Sequence, residues 1–405
     1  MPGFEFFGDL ERKQVNDVLE SGVLMRYGFD GMRNGHWKAK EMEAIISKKM
    51  QVKHTQLVSS GTAALTVALA SAGIGAGDEV ILPSFTFVAS FEAVLSVGAV
   101  PILVDIDDTL TLDIDSVKNA ITQKTKAVMP VHMCGSMAQL KELKEICIEH
   151  SLILLEDACQ AIGGSYEGKP LGSYGDLGCF SFDYVKTITC GEGGAVITNN
   201  DTYALNADHY SDHGHDHVGN NRGLETHPFL GYNFRISELN AAVGVAQISR
   251  LDEFLAIQKK NYTILREALS DIPEVTFRRI PDEGVENYSF LSFFLPNETL
   301  ARQAHVNLAK NGVDGCFYWF DNDWHYVKKW DHLKNKKTLS KLPAEVLSQL
   351  PDYTKVNFQK SDYWLGKNIS ILIKLSWSEA EIIERARMVK KAINSTLQLS
   401  ENKIS

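Results

Sequence analysis

The stretch LLEDACQAIGGSYEGKPLGSYGDLGCFSFDYVKTITCGEGGAVITNN, residues 154–200 of the 405-residue chain, is the part of the sequence that decides the fold. It covers most or all of three short apolar runs, Leu152–Asp157, Gly178–Phe182 and Ala195–Thr198, which are separated by glycine-rich turns. Short apolar runs bounded by turn residues are typical of buried strands. The stretch therefore predicts three neighbouring strands of one sheet.

Upstream of this stretch, apolar runs alternate with segments of helical periodicity. Further strands are predicted at Gln56–Ser59, Glu79–Leu82, Val100–Ile106 and Lys126–His132, and helices at Thr62–Ala72, Val88–Val97 and Met137–His150. Apolar strands that alternate with helices indicate a mostly parallel sheet covered on both faces. We predict an α/β fold whose large domain is built on a mostly parallel seven-stranded sheet.

After Pro273 the pattern changes to shorter elements. Strands are predicted at Val275–Arg279, Phe290–Leu295, Gly315–Phe320 and Ile369–Leu375, and helices at Leu300–Lys310 and Glu379–Thr396. A single long helix, capped by Ser237, is predicted before this point over Glu238–Ser270. We assign residues 1–260 to an N-terminal segment and the large domain, and residues 261–405 to a smaller α+β domain with an irregular insertion at 321–365.

Composition restricts the classes of partner. The net charge of -10 argues against nucleic acid or an anionic membrane as the main partner. The six cysteines are scattered and form no C-x-x-C pair, which favours reduced thiols over disulfides or a zinc site. The acidic, amphipathic start is not typical of a signal peptide, and no apolar stretch approaches the length of a membrane span. We expect a cytoplasmic protein.

Asp157 and Lys186 carry the functional interpretation. Asp157 ends an apolar strand, where burying a carboxylate is costly unless a cation meets it, and where ligands of open α/β sheets bind. Lys186 follows another strand, in a turn before the glycines of residues 191–194, and a partly desolvated lysine has a lowered pKa and can form a Schiff base. The run Ser60–Gly61–Thr62–Ala63, between a strand and a helix, offers backbone N–H groups to an anion.

An amine, an acid and an anion cradle are what pyridoxal 5'-phosphate (PLP) requires. The lysine would hold the cofactor as a Schiff base, and the carboxylate would keep the pyridine nitrogen protonated so that the ring acts as an electron sink. Each feature also has an ordinary structural explanation, as a helix cap, a turn residue or a surface lysine. On the residues alone, both interpretations stay open.

Several motifs resemble the DegT/DnrJ/EryC1/StrS sugar aminotransferases. They are SSGTAAL (59–65), PSFTFVAS (83–90), EDACQAIG (156–163), GDLGCFSFDYVK (175–186), GEGGAVITN (191–199) and GYNFRISELNAA (231–242). The resemblance covers residues 50 to 260 and implies a fold-type-I PLP-dependent transferase, similar to aspartate aminotransferase. It also implies a homodimer in which each active site is completed by the partner chain.

The resemblance assigns roles to single residues. Lys186 matches the Schiff-base lysine, Asp157 the partner of the pyridinium nitrogen, Gln160 the residue near the phenolic oxygen, and Phe87 the aromatic ring stacked on the cofactor. The expected phosphate contacts are Ser60, Gly61, Thr62, Ala63, Ser181 and, from the neighbouring subunit, Asn233. Because some members of the family are dehydratases with histidine at the lysine position, Lys186 favours transamination.

Segments outside these motifs resemble the branch of the family that aminates C8 of a Kdo-type octulosonate for lipopolysaccharide, with glutamate as the donor. They are MRYGFDGMRNGHWK (25–38), VHMCGSMAQL (131–140), VKTITCGEGG (185–194), SDHGHDHVGN (211–220), VDGCFYW (313–319) and IKLSWSE (373–379). A nucleotide-linked keto-sugar, carried by UDP or dTDP, is the alternative substrate. A PLP-binding regulator is the alternative outside enzymes, but the sequence shows no DNA-binding or signalling appendage.

A sugar acid requires a cation, and Arg26, Arg33 and Arg235 are candidates because a guanidinium binds a carboxylate through two hydrogen bonds. Each of them could equally form a salt bridge at the surface or at an interface. His213, His215 and His217 admit three interpretations: metal ligands, a solvated loop, or a loop in which His213 or His215 contacts sugar hydroxyls. We expect no metal, because a polar loop containing glycine lacks the rigid convergence of a metal site. The aromatic side chains expected in the core or at an interface are Phe317, Tyr318, Trp319 and Trp324.

Overall fold

The computed structural model describes residues 3–219 and 221–401. The strands of its large sheet are β1 (His54–Val58), β2 (Glu79–Pro83), β3 (Val100–Val104), β4 (Thr125–Val128), β5 (Ile153–Asp157), β6 (Leu177–Ser181) and β7 (Gly194–Thr198). Their order is β1–β7–β6–β5–β4–β2–β3. The pairs from β3 through β2, β4 and β5 to β6 are parallel, whereas β7 pairs antiparallel with β6 and β1. The predicted seven-stranded, mostly parallel sheet is confirmed.

The α-helices of the described residues come before, between and after these strands. They are α1 (Asp9–Ser21), α2 (Lys38–Met50), α3 (Gly61–Ser71), α4 (Val88–Ser96), α5 (Ile114–Ala120), α6 (Leu140–Glu149), α7 (Asp201–Tyr210), α8 (Glu238–Ser249), α9 (Leu251–Leu269), α10 (Glu298–Lys310), α11 (Asp331–Lys334), α12 (Ala344–Gln349), α13 (Gln359–Lys367) and α14 (Glu379–Glu401). Within the described residues, no helix has the length and apolarity needed to cross a membrane.

Helix α3 fixes one corner of the later site. Its sequence GTAALTVALAS is apolar or small on nearly every side, and a helix of that kind is stable only when it is buried. It packs against β6, β7, α4 and α7. At its start the hydroxyl of Ser60 accepts a hydrogen bond from the Ala63 N–H at 3.0 Å, as expected for an N-cap. The first turn of α3 is therefore held at the carboxyl end of β6.

The single helix predicted over Glu238–Ser270 is wrong in one respect, because the chain forms two helices, α8 and α9. The break lies at Arg250, whose φ of -98° and ψ of 6° are not helical. The Arg250 guanidinium is held by Glu253 and by the carbonyl of Phe6. Ser237 caps α8 as predicted, accepting a hydrogen bond from the Asn240 N–H at 3.1 Å. An interruption of one residue leaves the apolar periodicity almost unchanged, so the sequence did not reveal it.

A second, four-stranded antiparallel sheet contains β8 (Thr276–Phe277), β9 (Phe290–Phe294), β10 (Cys316–Phe317) and β11 (Asn368–Leu372), in the order β8–β9–β11–β10. Helices α9 and α10 pack on it, α14 packs against these two helices, and together they share one apolar cluster with the sheet. Three short strands, Ser165–Tyr166, Lys169–Pro170 and Gly284–Val285, form a third sheet.

The stretch 321–365 contains short helices and contributes to the main core. Tyr326, Trp330 and Tyr353 are buried in the same apolar cluster as α3 and α4. The hydroxyl of Tyr353 donates a hydrogen bond to the carbonyl of Pro101, in β3, at 2.8 Å. The division into residues 1–260 and 261–405 stays a prediction, and its boundary falls inside α9.

Candidate active site

A cavity of about 440 Å³ lies where β5 and β6 end and α3 begins. The predicted cofactor-binding residues that line it are Ser60, Gly61, Thr62, Phe87, Asp157, Gln160, Ser181 and Lys186. The opposite wall is aromatic and apolar and comes from the second sheet and the stretch after it: Phe290, Phe317, Trp319, His325 and Leu372. The structure thus brings together residues that lie more than a hundred positions apart in the chain.

Asp157 is held as a buried carboxylate at the end of β5, with 4% of its surface exposed. Its Oδ2 accepts a hydrogen bond from the Ser90 hydroxyl at 2.6 Å, and its Oδ1 accepts one from the Cys159 N–H at 3.2 Å. Ser90 in turn lies 2.6 Å from the hydroxyl of Thr86. Because two carboxylate oxygens can accept about four hydrogen bonds, Asp157 retains capacity for a donor inside the cavity.

Lys186 extends from a closed loop beside this acid. Its backbone N–H donates to the Asp183 carbonyl at 3.0 Å, and its own carbonyl accepts from the Gly3 N–H at 3.0 Å. A bridge between Asp183 and Gly191 closes the loop, and Gly191 takes a left-handed φ of 84°. Among the described residues, the Lys186 amine has no hydrogen-bond or ion-pair partner. The amine is therefore available to a ligand in the cavity.

The first turn of α3 approaches β6 so closely that a side chain at Gly61 would not fit. A Cβ at this position would lie 2.7 Å from Ser181 Cβ and 2.9 Å from Ser181 Oγ. Gly194 shows the same crowding, because a Cβ there would lie 2.2 Å from the carbonyl oxygen of Ser60. The N–H groups of Gly61 and Thr62 begin the helix and have no intrahelical acceptor. Together with the Ser181 hydroxyl, they form a compact cradle for an anion.

Phe87 stands at the mouth of the cavity, 37% exposed. Its ring lies parallel to that of Trp324, with the centroids 5.8 Å apart. The backbone on either side is fixed, because the N–H groups of Thr86 and Val88 donate to the carbonyls of His325 and Trp324 at 3.0 and 3.1 Å. Phe87 is thus placed to cover a flat ring that enters the cavity.

Gln160 also lines the cavity, and its side chain is oriented by a single contact. Its Oε1 accepts a hydrogen bond from the Cys134 N–H at 2.9 Å, and Cys134 takes a left-handed φ of 57°. The amide nitrogen of Gln160 remains available as a donor to a ligand oxygen.

His325 is a cavity residue that the sequence did not reveal. Its Nδ1 lies 2.8 Å from Asn322 Oδ1, and its ring contacts Phe87 and Trp319. Burial and the nearby Lys186 ammonium lower the pKa of His325 to about 3, so its imidazole is neutral near pH 7. Because an amide oxygen only accepts, Nδ1 carries the proton, and Nε2 is a hydrogen-bond acceptor. The available signal was the aromatic run 317–326, which continues beyond the strand predicted at Gly315–Phe320.

The structure places Arg26 and Arg33 in buried contacts outside the cavity of their own chain. The Arg26 guanidinium pairs with Glu43 at 2.5 Å; burial opposes its charge, but Glu43 raises the pKa of Arg26 above its usual range. Arg33 donates to the carbonyls of Met25 and Gly28, and its guanidinium lies 3.6 Å from Glu238. Their predicted contact with substrate stays a prediction.

Arg235 belongs to a charged cluster around the buried carboxylate of Asp212. Asp212 accepts hydrogen bonds from Arg235 and Arg222, and its Oδ2 lies 2.9 Å from His217 Nε2. The other ring nitrogen of His217 lies 2.7 Å from Asp208. Burial lowers the pKa of His217, but the two aspartates outweigh it and raise the pKa to about 9. In this structure His217 joins α7 to the following loop.

The remaining predicted residues do not line the cavity of their own chain. His213 is exposed, and His215 Nδ1 lies 2.8 Å from Glu225 Oε2. Asn233 is exposed on the same loop, which suits a residue predicted to reach a neighbouring subunit. The N–H of Ala63 is bonded to Ser60, so its predicted phosphate contact stays a prediction.

The residues present fit PLP. The cradle of Gly61, Thr62 and Ser181 suits a phosphate, since glycine leaves the helix start uncovered. Asp157 is a buried carboxylate with spare acceptor capacity, and Lys186 provides a free amine on the same side of the sheet. Phe87 lines the same cavity.

Comparison with known proteins identifies the family. The sequence profile described as the DegT/DnrJ/EryC1/StrS aminotransferase family matches residues 8–359. The chain belongs to this family. The DegT/DnrJ/EryC1/StrS resemblance predicted from the motifs is confirmed, and the protein is a PLP-dependent sugar aminotransferase.

The names of relatives of this DegT/DnrJ/EryC1/StrS aminotransferase refer to different substrates. The GDP-perosamine synthase of Vibrio cholerae is 33% identical over 334 residues, which cover 80% of this chain and 86% of that protein. The L-glutamine:2-deoxy-scyllo-inosose aminotransferase of Streptomyces kanamyceticus is 40% identical over 294 residues, covering 71% and 68%. A sugar aminotransferase structure from Streptococcus pneumoniae, in its PMP form, has a TM-score of 0.83 at 23% identity and covers 98% of each chain. The predicted fold class is confirmed.

Proposed function

We propose that this enzyme transfers the amino group of glutamate to the C8 aldehyde of an oxidised Kdo in the cytoplasm, forming 8-amino-3,8-dideoxy-manno-octulosonate for lipopolysaccharide. The observation that carries the proposal is where the segments resembling that branch of the family lie. Segments 131–140, 185–194 and 313–319 supply residues to the cavity wall: Val131, Met133, Val185, Lys186, Glu192, Phe317 and Trp319. Three of the six segments that carry this resemblance therefore contribute to the wall of the cavity in which a substrate would bind.

The chemistry rests on residues that surround the cavity. Bound PLP supplies an electron sink for the carbon that loses or gains a proton. Lys186 would hold the cofactor through its amine, and the same amine, when free, would serve as the base that takes the proton from the donor carbon. Asp157, oriented by Ser90, keeps the ring nitrogen protonated. Phe317 and Trp319 line the opposite side of the cavity with aromatic surface.

We further propose a homodimer with shared active sites. Leu224, Leu230 and Tyr232, on the loop that carries Asn233 and Arg235, are 80%, 90% and 59% exposed, and such apolar exposure is typical of an interaction surface. In the dimer, Asn233 binds the phosphate of the neighbouring site. Among the described residues that line the cavity in its own chain, Lys186 is the only cation. Arg235 is then the candidate partner for a substrate carboxylate, because it lies on this loop and 20% of its side chain is exposed, against 6% for Arg26 and 1% for Arg33.

A nucleotide-linked keto-sugar is the second candidate substrate, favoured by the similarity to GDP-perosamine synthase over 80% of the chain. The two can be separated by loading the enzyme with pyridoxamine phosphate and titrating it with an octulosonate aldehyde or with UDP-, dTDP- and GDP-linked keto-sugars. The proposal expects conversion to the PLP spectrum with the octulosonate alone. Conversion only with a nucleotide-linked sugar would contradict the octulosonate as substrate and favour the nucleotide-linked keto-sugar.

The amino donor is tested in the other half-reaction. Enzyme in the PLP form is mixed with glutamate or glutamine, and loss of the PLP absorbance is followed. Glutamine is the matched comparison, because a relative named L-glutamine:2-deoxy-scyllo-inosose aminotransferase is 42% identical over 227 residues, which cover 54% of this chain. A faster reaction with glutamate supports the proposal, whereas a response to glutamine alone contradicts it.

A further inference from the structure

The N-terminal segment Gly3–Phe6, a short 3₁₀ helix, contacts the loop that carries Lys186. The N–H of Gly3 donates to the Lys186 carbonyl at 3.0 Å. The ring of Phe4 stacks on Tyr184, with centroids 4.3 Å apart and an interplanar angle of 3°. The segment therefore covers the outer side of the lysine loop at two points.

The same segment also holds the opposite wall of the cavity. The Glu5 carboxylate accepts hydrogen bonds from the N–H groups of Leu375 and Ser376, both at 2.8 Å. These residues follow β11, whose last residue, Leu372, lines the cavity. Hydrogen bonds to an ionised acceptor are among the stronger ones in proteins. Glu5 thus ties the end of the second sheet to the segment that touches Lys186.

The fit of the segment leaves little freedom. A Cβ at Gly3 would lie 2.4 Å from the Thr187 carbonyl oxygen and 2.2 Å from Gln247 Oε1, so only glycine fits there without a shift of the neighbours. At its other end, the Phe6 carbonyl accepts a hydrogen bond from the Arg250 guanidinium at 2.9 Å.

We propose that Gly3–Phe6 is a positioning segment, which sets where Lys186 stands relative to the aromatic wall formed by the second sheet. The proposal rests on the proposed role of Lys186 as the anchor of PLP. A lysine bound to PLP takes up a proton with an affinity that depends on its alignment with the ring and on the charges around it. If the segment sets that alignment, disturbing it changes the protonation of the bound lysine as well as the affinity for the cofactor.

The test compares full-length Glu5→Ala and Gly3→Ala with the wild-type enzyme, and Asp9→Ala is the matched control. The Asp9 carboxylate is 99% exposed and pairs only with Arg12 among the described residues. Three quantities are measured: the dissociation constant of PLP, the pH midpoint of the absorbance of the PLP-bound protein, and the unfolding temperature. If Glu5→Ala or Gly3→Ala fails to fold, Phe4→Ala is measured instead, because it removes only the ring contact with Tyr184.

For Glu5→Ala we expect the PLP dissociation constant to rise about tenfold, from the loss of two charge-assisted hydrogen bonds. We also expect the titration midpoint to move by more than about 0.3 pH unit, with Asp9→Ala unchanged. A midpoint that moves by less, even with a lower unfolding temperature, would make the segment merely structural and overturn the inference. If the wild-type enzyme itself does not bind PLP through Lys186, the proposed function fails as well, and the wild-type spectrum distinguishes the two cases.

Discussion

Replacing Gly61 by alanine tests the anion cradle, because the structure shows which atoms the added Cβ would contact. The new Cβ would lie 2.7 Å from Ser181 Cβ, 2.9 Å from Ser181 Oγ and 3.3 Å from Cys159 Sγ. Since two carbon atoms at rest are about 3.5–4.0 Å apart, α3 and β6 would have to separate by about 1 Å. Overpacking of this size costs about 1–3 kcal/mol. Because the separated groups are the proposed phosphate ligands, we expect much of that cost to appear as a PLP affinity about 10- to 100-fold weaker.

The assay is equilibrium binding of PLP, followed by absorbance, together with thermal unfolding of the PLP-free protein. Gly31→Ala is the control, since a Cβ there would meet nothing within 4 Å. Ser181→Gly removes both of the nearest atoms. Adding Gly61→Ala to Ser181→Gly should therefore weaken PLP binding less than adding Gly61→Ala to the wild-type enzyme does. PLP binding of Gly61→Ala within about twofold of wild type would refute the assigned cradle.

Three further outcomes follow. Ser90→Ala removes the hydroxyl bonded to Asp157, and we expect kcat to fall about tenfold while PLP stays bound, measured by steady-state kinetics and absorbance. Arg26→Met leaves Glu43 buried without a cation, and urea denaturation should show a loss of about 3–5 kcal/mol. The third concerns His217, whose pKa is raised to about 9. The stability it adds is complete below its unfolded pKa near 6.5 and is lost as the pH rises through 9, by about 1–2 kcal/mol after allowance for partial exposure.

Controls make these outcomes specific. For Arg26, the double variant with Glu43→Leu should recover most of the loss, because a buried pair replaced by apolar groups costs little. For His217, urea unfolding at pH 6 and pH 9.5 is compared with His217→Asn, which should lack the difference between the two. An equal pH dependence in both proteins would show that another group causes it. For Ser90, an unchanged kcat would show that Asp157 needs no orienting hydroxyl.

The centre of the site could be predicted because its residues follow short, buried strands. Asp157 ends one apolar run and Lys186 lies four residues after the next, and the carboxyl ends of neighbouring parallel strands meet at one edge of a sheet. Gly61 and Ser60 lie at a strand–helix junction whose apolar helix is easily recognised. These features depend on contacts within a few residues of the chain, which a single sequence shows directly.

The aromatic wall and the positions of the arginines could not be predicted in this way. His325 reaches the cavity only because the stretch 321–365 folds back onto the large sheet, and the residues of this stretch have no regular period. Arg26 could bind a substrate or a carboxylate of its own chain, and the choice depended on Glu43, which lies seventeen positions away on a different element. Contacts between distant elements decide such cases.

The most direct measurement of the central claim is chemical trapping of the cofactor. The PLP-loaded enzyme is reduced with borohydride, which makes the bond between PLP and its lysine permanent, and the modified peptide is located by mass spectrometry. The account predicts modification at Lys186 and loss of both the label and the absorbance near 400–430 nm, the range expected for a protonated PLP–lysine imine, in Lys186→Ala. A label on a different lysine, or an unchanged spectrum in that variant, would contradict it.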